Sequence, residues 1–475
     1  MLLTRRFIAP FVAVSRLTSP SSKTLATQSD AHLRHQCSPD LTDQQSLVLD
    51  AVARGRSVFI TGSAGTGKSL LLRHAIRVLR DIHPRHSVFV TASTGIAATA
   101  IGGQTLHSFA GIGTQSADDA NAVLRDVLRN RPAARRWAAA NALVVDEVSM
   151  IDGRLFDTLE TIARRVRHRK SDDVWGGIQI IASGDFFQLP PINSPDPEKE
   201  FAFEADCWDA SFDLQIDLSH VFRQSDAKFI ELLQCIRLGR CNPDQLRLLD
   251  QCRVVQEDDG DQWPETVTSL YPLNRDVQRV NKQRLEELER EIVVYRAMDR
   301  GKNPWRKQLE RGIAPDVLEV CVGARVMLIK NLDVERGLVN GSVGVVTEFV
   351  ESSGRAISAR ICPDQLLPVV QFDVGVKVAV KPSSWDVMEG QVVLARRRQV
   401  PLILAWAVSV HKCQGMTLDR MHADLSRVFG CGMVYVVLSR VRSLQGLRLS
   451  GFNPSKIKAH PKVLQFYERL QFGQS

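Results

Sequence analysis

Eight consecutive residues, Gly62-Ser63-Ala64-Gly65-Thr66-Gly67-Lys68-Ser69, carry the strongest chemical signal in the chain. Glycines at this spacing let successive backbone N–H groups curl around phosphate oxygens, Lys68 bridges the outer phosphates, and the Ser69 hydroxyl takes a place on Mg²⁺. Context separates this from a chance glycine turn. The apolar run Val58-Phe-Ile-Thr61 leads in and Leu70-Leu-Leu-Arg-His leads out, so a strand feeds a loop that opens a helix. The implied cofactors are ATP and Mg²⁺.

Three further segments complete such a site. Leu143-Val-Val-Asp146-Glu147 ends an apolar strand in two carboxylates. Beside a phosphate loop, Asp146 suits the metal shell, and Glu147 suits orienting and deprotonating an attacking water. Ile180-Ile-Ala-Ser-Gly-Asp-Phe-Phe-Gln188 is another apolar strand running into a polar loop, with Gln188 placed to sense the γ-phosphate or to be an ordinary loop residue. Phosphoryl transfer also needs cations for transition-state charge, often from another domain. Arg223, near the start of a second α/β region, and Arg440, after a strongly apolar strand at 434–438, are the candidates; a structural ion pair is the alternative for each.

The elements that must hold these groups are short apolar runs at 57–61, 87–91, 142–145 and 177–183, alternating with helix-spaced stretches at 69–82 and 154–167. Runs without polar alternation suit parallel strands covered on both faces, so an α/β nucleotide-binding domain is expected. The α/β texture resumes near Leu214 and returns at 402–410 and 434–438. Between them, short runs at 324–329, 344–349, 356–361, 369–372, 377–380 and 391–395, punctuated by Gly, Pro, Asp and Ser, suggest a small β insertion. The expected division is a first domain over 37–210, a second over 211–346 and 397–475 ending in a helix, and the insertion over 347–396.

At 475 residues, 44% hydrophobic and 24% charged, the composition is that of a globular chain of two or three domains. No apolar run approaches 18 residues, so no membrane span is expected. The net charge of +8 favours a polyanionic partner. Half of it, however, comes from Arg5, Arg6, Arg16 and Lys23 in an acid-free, Ser/Thr-rich segment over 1–29, which leaves +4 on the rest. That segment, bounded here at 1–36, has the profile of a mitochondrial transit peptide, so the matrix is the expected location, with the nucleus left open. Nine scattered cysteines form no CxxC pair and no zinc spacing, and no structural metal is expected. The run Arg164-Arg-Val-Arg-His-Arg-Lys170 is read as a solvated face.

Taken in order, these motifs resemble the petite-integration-frequency (PIF) family of DNA helicases, in helicase superfamily one. The resemblance covers roughly residues 41–450 and includes Leu41-Thr-Asp-Gln-Gln45, Thr94-Gly-Ile-Ala-Ala, Gly102-Gly-Gln-Thr-Leu-His107-Ser-Phe109, Phe222-Arg-Gln, Ile236-Arg-Leu-Gly, Asn274-x-x-Val-x-x-x-Asn281, Val339-Asn-Gly-Ser, and His411-Lys-Cys-Gln-Gly415-Met-Thr. It implies two RecA-like P-loop NTPase domains with parallel sheets, an SH3-like β subdomain, and a strand-separating wedge near 110–137. Gln45 would contact adenine, Gly415 would approach the γ-phosphate, and Arg223 and Arg440 would close the site. Thr94, His107, Phe109, His411, Lys412, Gln414 and the segment Tyr435 to Arg440 would contact DNA. The implied activity is ATP-dependent, 5′ to 3′ unwinding in mitochondrial DNA maintenance, with G-quadruplexes and RNA–DNA hybrids as open substrates. Single-stranded DNA and forked duplex are the implied partners of a monomer, a DNA-induced dimer being open. Gln44, His220 and Cys413 depart from residues common in the family. The rival readings are a RecD-like helicase, a regulator without hydrolysis, and a P-loop kinase.

Overall fold

The computed structural model describes residues 41–112, 120–167, 172–191, 196–254, 267–303, 305–310, 314–333, 335–352, 358–389, 392–410, 412–413 and 416–472. The expected transit peptide therefore lies outside the described residues, as do His411, Gln414 and Gly415. Among the described residues no helix is long and apolar enough to cross a membrane.

The first lobe runs α1 (Asp43–Ala53), β1 (Val58–Gly62), α2 (Lys68–Ile82), β2 (Val88–Ala92), α3 (Gly95–Ala100), β3 (Gln104–Thr105), α4 (Leu106–Ala110), α5 (Ala120–Arg129), α6 (Arg131–Ala139), β4 (Ala142–Asp146), α7 (Gly153–Val166), β5 (Gln179–Ser183) and β6 (Leu214–Leu218). The six strands form one parallel sheet in the order β3-β2-β4-β5-β1-β6. Strands β1, β2, β4 and β5 are buried at every position, which is why their sequences show no alternation. The helices over 120–139 occupy much of the expected wedge, and Trp137 is buried there.

The boundary expected at residue 211 falls too early. Leu214–Leu218 does not begin the second domain; it pairs with β1 over five residues as the edge strand of the first sheet. A strand's partner is a long-range choice that its own residues do not encode.

The chain continues through α8 (Ala227–Arg237), α9 (Pro243–Asp250), β7 (Thr268–Tyr271) and α10 (Asn274–Glu286) into a β-rich region. That region comprises β8 (Val293–Arg296), β9 (Met298–Gly301), α11 (Trp305–Glu310), β10 (Val317–Val320), β11 (Arg325–Leu328), β12 (Val343–Glu351), β13 (Leu366–Phe372), β14 (Lys377–Ala379), β15 (Ser383–Glu389), β16 (Val392–Gln399) and β17 (Leu402–Leu404). Its sheets are β14-β13-β12-β11-β17, β15-β16-β9 and β10-β8, all antiparallel. The region thus spans 293–404, and the expected limits of 347 and 396 fall inside β12 and β16. Hydrophobic texture changes gradually there, so it marks the region but not its edges. Of the expected strand at 356–361, residues 358–361 form a turn and the rest lie outside the described residues.

The second parallel sheet uses β7, β18 (Ala407–Ser409), β19 (Met421–Asp424) and β20 (Leu447–Ser450), in the order β18-β7-β19-β20. The apolar stretch at 402–410 contains two strands in two different sheets. The expected strand at 434–438 is a helix, α12 (Met433–Leu438), begun by Gly432 at φ 74. All six of its residues are buried, and an all-apolar run of this length fits either structure. Finally, α13 (Pro461–Phe472) leaves the second lobe and packs Val463, Phe466 and Tyr467 into the first lobe's aromatic core with Phe59, Phe186, Phe203 and Trp208. Its assignment to the second domain is corrected accordingly. Amphipathicity predicts that such a helix docks, and says nothing of where.

Candidate active site

Strand β1 ends in the glycine loop, and α2 begins at Lys68 with Gly67 left-handed before it. The Lys68 ammonium donates to the carbonyls of Gly62 (2.7 Å) and Ser63 (3.0 Å). Burial lowers its pKa, against the opposing pull of Asp185 and Glu147. Gly65 is forced to be glycine: its φ is +89, and a Cβ would stand 2.7 Å from the Arg223 Cβ. The Phe222 N–H also donates to the Gly65 carbonyl, fastening the segment after β6 across the loop.

At the tip of β4, Asp146 Oδ1 accepts from the Glu147 N–H. Burial pushes the Asp146 carboxyl up to about 6. Burial, and then the Asp146 charge, pushes Glu147 up to about 7. Glu147 also sits at φ 54, ψ 45, a left-handed conformation that costs a non-glycine residue energy and turns its side chain toward the cleft. Two carboxylates forced close in a dry site fit a divalent cation, with Asp146 and the exposed Ser69 hydroxyl as the groups to hold it.

Gln188 follows β5. Its Nε2 donates to Asp185 Oδ2 (3.2 Å), and Asp185, fully buried, pairs with Arg237 on α8 at 2.9 Å. Opposite stand the two arginines. Arg223 Nη1 donates to the Ser439 carbonyl (2.9 Å), while Arg440 donates to the Val436 carbonyl and the Ser439 hydroxyl. Among the described residues neither guanidinium is in an ion pair, so neither is spent on structure in that way. Burial, then Arg440 beside it, pushes Arg223 down to about 9, so it remains a cation at neutral pH.

A cleft of about 350 Å³ joins these groups, lined by Lys68, Ser69, Glu147, Gln188, Arg223 and Arg440 together with Ala64, Gly65, Gly67, Phe222, Thr417 and Arg442. Gln45 is buried with its amide beside Gly67. Arg223 follows the last strand of the first sheet, so of the two arginines Arg440 alone belongs to the second lobe.

The groups expected to meet DNA fare differently. Phe109 is fully buried, with ring centroids 5.0 Å from Phe89 and 4.7 Å from Trp137. It is core, not a stacking platform. Tyr435 to Arg440 is likewise buried throughout and serves the cleft: the Ala64 N–H donates to the Tyr435 hydroxyl at 2.7 Å. Thr94 accepts from the Ala97 N–H at the start of α3, and His107 and Lys412 are half-buried. The sequence alone gives no role to Asp185, Arg237 or Tyr467, and the one it gives Tyr435, DNA contact, is replaced by the bond to the glycine loop. The available signal was Asp185 itself, an acid two residues past a buried strand, where a carboxylate needs charged or hydrogen-bonding partners.

A family model described as PIF1-like helicase matches residues 40–247, and one for the DNA helicase Pif1 2B domain matches 309–349. The crystal structure of Pif1 helicase from Candida albicans is 40% identical, has a TM-score of 0.73, and is covered over 99% of its chain by 90% of this one. The chain belongs to the PIF1-like helicase family. Its two parallel sheets are accordingly those of RecA-like domains. The ATP-dependent DNA helicase PIF1 of Xenopus laevis is 44% identical over 435 residues, 91% of this chain and 64% of that protein. This PIF1-like chain thus spans about two thirds of the length of the curated relatives it matches. Pif1 from Bacteroides, solved with ADP-AlF3 and ssDNA, is 27% identical with a TM-score of 0.60, over 91% of this chain and 97% of that one.

Proposed function

We propose that the chain is an ATP-driven helicase that moves 5′ to 3′ along single-stranded DNA and unwinds forked duplex. One observation carries this reading: Lys68, Glu147 and Gln188 of the first lobe share a cleft with Arg440 of the second. A γ-phosphate in that cleft is contacted from both lobes, so binding favours the closed arrangement and loss of the phosphate removes the bond between them. Mg²⁺, held by Ser69 and Asp146, would neutralise phosphate charge. Glu147 takes the proton of the attacking water, Gln188 orients that water, and Arg223 and Arg440 face the charge developing on the transferred group. Alternate gripping of the strand by the two lobes converts each cycle into movement, and contacts to backbone phosphate make it indifferent to sequence. The family membership and the ssDNA-bound Bacteroides relative support DNA as the track; the polarity rests on the family resemblance. The composition of residues 1–29 supports import into mitochondria, where the chain would act in DNA maintenance as a monomer.

The test is ATP hydrolysis with and without single-stranded DNA, beside Lys68→Ala. A DNA-stimulated rate that falls at least about 100-fold in the variant is expected; a rate indifferent to DNA rejects the reading. Forks with only a 5′ or only a 3′ tail report polarity. A reporter fused to residues 1–36 should enter mitochondria, and a diffuse cytosolic signal would defeat the localisation.

A further inference from the structure

Helix α13 reaches residues just behind the lining of the ATP cleft through one side chain. Tyr467 is 4% exposed, and its hydroxyl meets three groups of the first lobe. These are the Thr61 hydroxyl, the Phe186 N–H (3.3 Å) and Asp185 Oδ1 (3.4 Å). A phenol has one proton and two lone pairs. All three contacts are satisfied together when Thr61 and Phe186 donate to the phenol oxygen and the phenol donates to Asp185. Two of the three partners lead on to groups that face the γ-phosphate. Thr61 precedes Gly62, whose carbonyl holds the Lys68 ammonium, and Asp185 holds the Gln188 amide. The ring lies against Phe187, and the Arg237 guanidinium stands 4.9 Å from its centroid. The phenol is thus held on several sides by protein groups alone.

We propose that Tyr467 is a positioning residue for ATP hydrolysis: its hydroxyl ties the end of β1 to the loop after β5 and so sets Lys68 and Gln188 at a fixed separation. It touches no part of the nucleotide site itself. Losing the hydroxyl loosens Gln188 relative to Lys68, which weakens transition-state contacts more than ground-state binding, because orientation matters most where charge develops. The inference rests on the ATP-hydrolysing reading of the cleft.

Tyr467→Phe keeps the ring on Phe187 and Arg237 and removes only the hydroxyl. The expected result is a kcat for DNA-stimulated hydrolysis reduced about tenfold, with KM for ATP and ADP affinity within about twofold. Binding of ADP–aluminium fluoride should weaken by the same factor as kcat. In a Gln188→Ala background Tyr467→Phe should cause no further loss, because the group it orients is gone. Thr61→Val, which removes the partner hydroxyl at nearly constant shape, should reproduce the pattern and serves if Tyr467→Phe does not fold. Unchanged kcat in a folded variant, kcat and KM falling together with thermal stability, or full multiplicative loss in the Gln188→Ala background would each overturn the proposal while leaving the helicase reading intact. A wild-type chain that does not hydrolyse ATP would overturn both.

Discussion

Replacing Arg237 by Met tests how the first lobe tolerates a buried charge next to its ATP site. The guanidinium is 7% exposed and Asp185 is fully buried. Two of its nitrogens donate to Asp185 Oδ1, at 2.9 and 3.3 Å, and it stands 4.5 Å from the Phe187 ring centroid and 4.9 Å from that of Tyr467. Breaking such a pair by removing one partner costs about 3–5 kcal/mol, because the other charge stays buried. Asp185 would keep the Phe187 N–H, the Gln188 amide and the Tyr467 hydroxyl as donors, which places the electrostatic loss at the lower end. The two cation–π contacts add about 1 kcal/mol together. The expected destabilisation is therefore about 4 kcal/mol, read by urea unfolding followed through tryptophan emission. Adding Asp185→Asn to Arg237→Met removes the stranded charge and should recover more than half of the stability, while hydrolysis stays impaired because a neutral amide oxygen anchors Gln188 more weakly than the carboxylate does. A loss below about 1 kcal/mol in the single variant would show that water or a shifted carboxylate compensates, and would refute the reasoning.

Phe109→Ala should cost about 3–5 kcal/mol in stability and leave the DNA affinity of the folded fraction unchanged, as measured by fluorescence anisotropy at fixed salt; a folded variant with tenfold weaker binding would restore the stacking role. Arg440→Ala should lower kcat at least about 1000-fold while fluorescent nucleotide still binds, and a loss under tenfold would remove Arg440 from the transition state. With Glu147 raised from 4.5 to about 7, it carries a proton below neutrality and cannot accept one from water, so kcat/KM should fall as pH drops below 7. The same shift has the opposite sign for stability. The folded chain binds the extra proton between the two values, so the nucleotide-free protein should lose stability as pH rises from about 4.5 to 7, and Glu147→Gln should flatten that slope in thermal unfolding.

What could be read from the sequence was what is local. The glycine loop, Asp146-Glu147 and Gln188 each follow a continuous apolar strand, and strand, loop and helix succeed one another within about a dozen residues, so side-chain chemistry and backbone context lie in one window. What escaped was decided by partners far along the chain. Leu214–Leu218 reads as a strand anywhere, and only pairing with Val58–Gly62 puts it in the first sheet. Met433–Leu438 is apolar throughout because it is buried on every side, so no periodicity distinguished helix from strand. Phe109 lies in a motif that resembles a DNA-contacting one, whereas its burial depends on Trp137, 28 positions later. Tyr467 had no motif to mark it, since its three partners come from β1 and the segment after β5.

The return of α13 to the first lobe changes what the second lobe is in covalent terms. It is a guest spliced into a host: the chain leaves the host after β6 and comes back at residue 461, and Gln44 and Leu47 near one end share a groove with Phe466, Arg469 and Leu470 near the other. Tension applied between residues 43 and 472 is therefore borne within the host alone, and the guest carries none of it.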